Sequence, residues 1–179
     1  MSLAEQSRLR LFPGSPLCVI NDTEILRTTT HIDAKLRDML VDAHAGLEMR
    51  ECSLNYASMC VRWDMILMRL RCDINSAAQS TIESKIAEAC RLAALIHFCA
   101  VAHLIPHQNA INRSDMQILH DILKRLEFKD WREMVYTYLW VLLTGIAAAG
   151  SLEKPYFIVA IERFSITIGL YCWDHYERE

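Results

Sequence analysis

A chain of 179 residues, 53% hydrophobic and 23% charged, has the size and make-up of one globular domain, able to bury about 70% of its unfolded surface. Its net charge of −3 supplies no overall positive field for DNA, RNA or anionic lipid, and the apolar content excludes a disordered chain. Seven cysteines, an odd set without a C-x-x-C pair, fit reduced thiols and exclude zinc ribbons, thioredoxin-like redox sites and zinc-cluster DNA-binding modules.

Residues 1–30 hold Pro13, Gly14, Pro16 and the run Thr28, Thr29, Thr30, and predict an irregular N-terminal segment with one short extended piece at 17–20. The opening "MSLAEQSRLRLFPGSP" contains no apolar stretch of signal-peptide type. From residue 31 the apolar spacing turns helical. Ile32, Leu36, Met39, Leu40, Ala43 and Leu47 make one helix face. Leu54, Val61, Met65, Met68 and Cys72 make the next, and 73–79 reads as a polar loop.

Further helix starts follow from capping chemistry. Ser80 with Glu83, Ser114 with Gln117, and Asp130 with Glu133 each place an acceptor three residues before Glu or Gln, ahead of an apolar run. Pro106 stops one helix, and Gly150 and Gly169 are placed as left-handed caps for two later ones. No stretch alternates with period two as a strand would. The expectation is an all-α single helical-bundle domain of about seven helices over 31–179, the last cut short at Glu179.

Two stretches call for a decision about membranes and phosphates. Residues 135–152, "VYTYLWVLLTGIAAAGSL", carry no charge, and "LAALIHFCAVAHLI" at 92–105 is similar. The first is interrupted by Thr144 and Gly145, and the second carries His97 and His103, polar groups that are costly at bilayer depth. Both therefore predict central helices of a soluble core, apolar on every side because other helices surround them. Gly145 and Gly150 have the spacing of a phosphate loop, but Ser151 stands where its lysine belongs and no strand precedes.

Other chemistry finds little footing. His103 and His107 are four apart, as two metal ligands on one helix face would be, yet Pro106 separates them and no third ligand is identifiable. Nothing local marks a cysteine as a nucleophile. Asp38, Asp42, Asp121 and Glu162 fall on polar faces. No catalytic residue, metal ligand or cofactor is assigned, and the chain reads as a non-enzyme. Methionines and aromatics are adaptable lining for pockets and partner surfaces, though core packing is the preferred account. The candidate pocket or interface residues are Met65, Met68, Phe98, Trp140, Leu143, Phe157 and Phe164.

An ordered string of motifs brings a family into view. "EACRLAALIHFCAVAHLIP", "LHDILKRLE", "DWREMVYTYLWVLLTGIAAAGS" and "KPYFIVAIERFSITIGLYCWDHYERE" follow one another. The string resembles the fungal-specific domain of binuclear zinc-cluster transcription factors. The matching positions are 89–96, Trp131, 139–143, Gly145, Ala147, Ala148, Ser151, Tyr156, Phe157, Gly169, Leu170 and Trp173, within residues 81–179.

The resemblance implies a nuclear regulatory domain, with the cytoplasm as the other location, that lies downstream of a DNA-binding module. Such domains sense small apolar molecules, contact other transcription regulators and in some members dimerise. The zinc cluster and basic segment of that module are not in this sequence, so zinc is expected only in an attached module and direct DNA binding is not expected of this chain. It looks like an excised regulatory domain, or a member that lost its DNA-binding part. A helical adaptor or scaffold that binds a partner protein is the second reading, and a helical enzyme the third.

Overall fold

The structure, a computed structural model, describes residues 56–72 and 81–176, and every regular element among them is helical. The chain is all-α. In order come α1 (Tyr56–Cys72), α2 (Ile82–Ala102), a 3-10 turn (Ala110–Asn112), α3 (Arg113–Leu123), a 3-10 segment (Phe128–Met134), α4 (Val135–Ala148) and α5 (Lys154–Tyr176). The expected irregular segment at 1–30, the helix face of residues 32–47 and the loop at 73–79 lie outside the described residues.

α2 is the centre. Ala89, Cys90, Leu92, Ala93, Ala94 and Ile96 are no more than 1% exposed, and α1, α3 and α4 all pack on this helix. Its alanines let neighbouring backbones come close, while Leu92, Ile96 and Phe98 fill the space between. Each such large side chain contributes about 2 kcal/mol by leaving water. The helix predicted to be apolar on all sides is therefore surrounded. α4 is less enclosed, because Tyr136 and Leu143 face outward. Among the described residues no helix is long and apolar enough to cross a membrane.

α1 corrects the phase read from sequence. Its inward face is Trp63, Ile66 and Leu70, at 4%, 7% and 1% exposure, whereas Val61, Met65 and Met68 are 62%, 61% and 64% exposed. Both stripes have helical spacing, so periodicity alone could not choose between them. α1 and α2 run antiparallel: the Leu70 carbonyl meets Arg91, while the Trp63 ring meets His103 edge-on at 6.4 Å.

α4 and α5 form the second antiparallel pair. Gly145 lies against the ring of Phe157, and Tyr138 meets Phe164 at 6.1 Å, so the two contacts share one register. A Cβ on Gly145 would enter the Phe157 ring, which is fully buried. Gly145 thus allows two helices to touch. The 3-10 segment closes one end, with Trp131 on Tyr138 at 5.0 Å and Phe128 on Phe164 at 6.1 Å.

The helix boundaries revise the capping scheme. α2 is capped by Thr81, not Ser80; its hydroxyl accepts from the Ser84 N–H at 3.2 Å. α3 begins before Ser114, out of a 3-10 turn whose Ile111 N–H donates to Asn109. Asp130 does cap, but as the third residue of the 3-10 segment, accepting from the Glu127 N–H at 2.8 Å. Among the described glycines none has positive φ, so Gly150 is no left-handed cap, and Gly169 lies inside α5. Among the described non-glycine residues the left-handed one is Leu104, φ 55°, where the chain leaves α2 ahead of Pro106.

The close approach at Gly145 is open to direct test. Gly145→Ala should cost about 1–3 kcal/mol by overpacking, read as a lower urea midpoint. Combined with Phe157→Leu it should cost less than the sum of the two single changes, because the smaller side chain yields the space.

Candidate functional site

The seven residues singled out from sequence divide into two sets. Phe98, Trp140, Phe157 and Phe164 belong to the core, none more than 7% exposed. They serve different contacts. Trp140 faces His97, Phe157 lies beside His120 and Tyr156, and Phe164 joins the Phe128 and Tyr138 rings. Met65, Met68 and Leu143 are surface residues, Leu143 at 42% exposure. Core packing, the account the sequence favours for these candidates, does not hold for Leu143. It points outward because Trp140, Val141, Leu142 and Thr144 already occupy the faces that α4 turns inward.

Two polar arrangements escaped the sequence reading. The first surrounds Arg91, 4% exposed on the central helix. Its Nε and Nη2 donate to the two carboxylate oxygens of Glu88 at 2.7 and 2.6 Å, and its Nη1 donates to the Leu70 carbonyl at 2.6 Å. Leu70 lies in the last turn of α1, where backbone carbonyls have no intrahelical donor, so a guanidinium from α2 caps α1. The planar fork lets one side chain hold a carboxylate and a carbonyl together. Asp115 at the start of α3 is in electrostatic reach; burial pushes its carboxyl up while Arg91 and Arg71 pull it down.

The second joins the end of α2 to the loop after it. His97 and His107 have ring centroids 5.7 Å apart, and the His97 ring meets Trp140 edge-on at 6.0 Å. Burial first, and the neighbouring His107 second, bring the His97 pKa down to about 4 from 6.5. Burial also lowers that of His107. The Asn112 side chain donates to the His107 carbonyl at 3.1 Å and holds the loop against α3. The partner of His107 is therefore His97, ten residues back, while exposed His103 sits on Trp63. No local spacing could have shown this pairing. Among the described residues no group of three or more His, Cys, Asp or Glu side chains could hold a metal ion.

The two described cysteines are passive. Cys90 and Cys99 are buried free thiols, and burial pushes both up, so each stays protonated at neutral pH. Asp121 and Glu162 are exposed, as their polar-face positions predict, while Asp38 and Asp42 lie outside the described residues. The described surface does carry large exposed apolar side chains, among them Val61, Met65 and Met68 at i, i+4 and i+7 on α1 and Ile158, Val159 and Ile166 on α5. Comparison with protein-family models, curated proteins and solved structures gives no match.

Both polar arrangements carry measurable consequences. Arg91→Met should cost about 3 kcal/mol, because the Leu70 carbonyl and Glu88 lose a shared donor. Arg91→Lys should recover little of this, since an ammonium group cannot span the same two acceptors in one plane. For His97, the unfolded chain takes a proton near 6.5 and the folded chain only near 4. The unfolded state binds more protons between those values, so stability is lost as pH falls through that window. The loss amounts to about 3 kcal/mol by the low end. His97→Phe should flatten this part of the stability–pH curve in urea titrations run between the two values.

Proposed function

We propose that this chain is a regulatory, non-DNA-binding helical domain of the kind found in fungal zinc-cluster transcription regulators. In this reading it works in the nucleus by binding another regulator or a small apolar ligand. The observation that carries it is where the resembling string falls. Ala89, Leu92, Ala93, Ala94, Ile96, Trp131, Val141, Leu142 and Phe157 are each no more than 1% exposed, and they come from α2, the 3-10 segment, α4 and α5. The resemblance therefore runs through one shared core and not through a detached motif. Gly145 and Phe157, both in the string, touch.

The local chemistry supports a binding role. Arg91 and Glu88 are engaged in joining α1 to α2, His97 packs on His107 and on Trp140, and the buried thiols Cys90 and Cys99 are protonated. A domain of this build acts through its packing: whatever binds one arrangement of the helices better than another shifts the population toward it. The net charge of −3 leaves DNA contact to an attached module.

Fusing the full chain to an unrelated DNA-binding module tests this directly. A reporter under that module's site should change several-fold relative to the module alone, and the purified chain should not shift DNA in a gel. An unchanged reporter would count against the regulatory reading. Apolar metabolites screened against the full chain should include one that raises the melting temperature if the ligand is small.

A further inference from the structure

We infer that residues 103–112, between α2 and α3, form a strap that the paired rings of His97 and His107 hold against the end of α2, and that acid releases this strap while the helices stay folded. The inference adds a conformational device to the domain and stands whatever the domain binds.

The strap begins under strain. The His103 and Ile105 N–H groups both donate to the Cys99 carbonyl, at 3.2 and 3.4 Å, and so end α2. Between them Leu104 takes φ 55°, a left-handed position that usually falls to glycine. A leucine there is strained, and at 66% exposure it gains little from packing. Further on, the Asn109 N–H donates to the Pro106 carbonyl at 2.8 Å, and the Asn112 side chain donates to the His107 carbonyl at 3.1 Å. Pro106, Gln108, Asn109 and Ala110 are exposed, so the strap turns inward chiefly through half-buried Ile105 and His107. The His107 ring meets that of His97 on α2 at 5.7 Å.

That contact has no room for a proton. His97 lies between His107 and the edge of Trp140, and burial first, His107 second, bring its pKa down to about 4 from 6.5. Burial lowers His107 too. The packed elements supply no offsetting carboxylate. α4 and the 3-10 turn Ala110–Asn112 contain no Asp, Glu, Lys or Arg. On α2 itself Arg91 and Glu88 are engaged with each other and with Leu70. α1 brings Asp64, Arg69 and Arg71, and α3 brings Arg113, Asp115, His120 and Asp121, yet among the described residues the charge that bears on His97 is that of His107. His103 is exposed and turns to Trp63. Lifting His107 away lets water reach both rings. The open strap then binds more protons than the closed one, so opening gains as pH falls from 6.5 toward 4. For His97 alone the opening constant rises about twentyfold between pH 7 and pH 5.

Amide hydrogen exchange of the full chain, followed by NMR and corrected for intrinsic rates, tests this. Protection at Ile105, Asn109 and Asn112 should fall at least tenfold from pH 7 to pH 5. At pH 5 low urea should leave those rates within twofold, because a local opening exposes little surface, while the amides of residues 92–96 speed up. His97→Phe keeps a ring under His107 but cannot be charged, and should hold the change in strap protection under threefold. His97→Gln serves the same end if the phenylalanine chain does not fold. Strap amides unprotected at pH 7 overturn the inference, because nothing is then held to be released. A tenfold fall that persists in the His97 variant also overturns it, as do strap rates that follow urea in step with residues 92–96 or protection that changes less than twofold with pH.

Discussion

A guanidinium buried on the central helix is the constraint around which the described structure is arranged. Desolvating Arg91 on α2 is costly unless each direction of its fork finds an acceptor. Glu88, one turn back, supplies two, and the last turn of α1 supplies the carbonyl of Leu70. The second contact is directional. It fixes the end of α1 against α2, and with it the rotation of α1 that turns Trp63, Ile66 and Leu70 inward. Once that rotation is set, Val61, Met65 and Met68 have nowhere to go but outward. The polar contact at one end of the helix thus selects which of two apolar faces the helix shows to the outside.

The other half of the molecule is fixed by shape. α4 and α5 approach at Gly145, where the absence of a side chain makes room for the Phe157 ring, and the aromatic rings of Trp131, Tyr138, Phe128 and Phe164 close the adjoining end. This arrangement tolerates little change in volume, because interiors are packed to crystal-like density. α2 touches both halves, through α1 on one side and α4 on another. A disturbance at its end, such as a proton on His97 beside Trp140, therefore reaches α4 through direct ring contact.

These contrasts explain how much of the molecule could be read from the sequence. The all-helical class and the central position of α2 were legible, because an apolar stretch with alanines on every face has one sensible place in a globular chain. Breaks between helices were legible near Pro106 and Gly150, and Asp130 was legible as a capping acceptor, but Thr81 and the element that Asp130 caps were not. Thr81 and Asp130 cap through the local backbone path, and Asp130 serves a 3-10 segment that leaves no period in the sequence. The inward face of α1 was misread because both its faces are apolar and the choice depends on Arg91, twenty-one residues beyond Leu70. Gly145 looked like part of a failed phosphate loop, and its use as a contact point with Phe157 could not be seen before the two helices were paired. The pairing of His97 with His107 likewise depends on the turn of the loop that holds Leu104 and Pro106.

What distinguishes a site from the scaffold here is whether packing has already used the residue. Phe98, Trp140, Phe157 and Phe164 were reasonable candidates by type, yet each is held by neighbours of its own chain and has no surface left for a ligand in this arrangement of the helices. Met65 and Met68 were candidates on the same grounds, and both are exposed on the face of α1 opposite Trp63, Ile66 and Leu70. An exposed apolar ridge carries a standing cost in water of about 25 cal/mol for each Å² that a partner could cover. A structure that holds that ridge outward has the orientation of α1 set before any partner arrives. Binding then needs less reordering of this chain, so more of the contact energy appears as affinity. The buried Arg91 contact and the exposed methionines are in this sense one device: the first removes the freedom that would otherwise let α1 roll and hide the second.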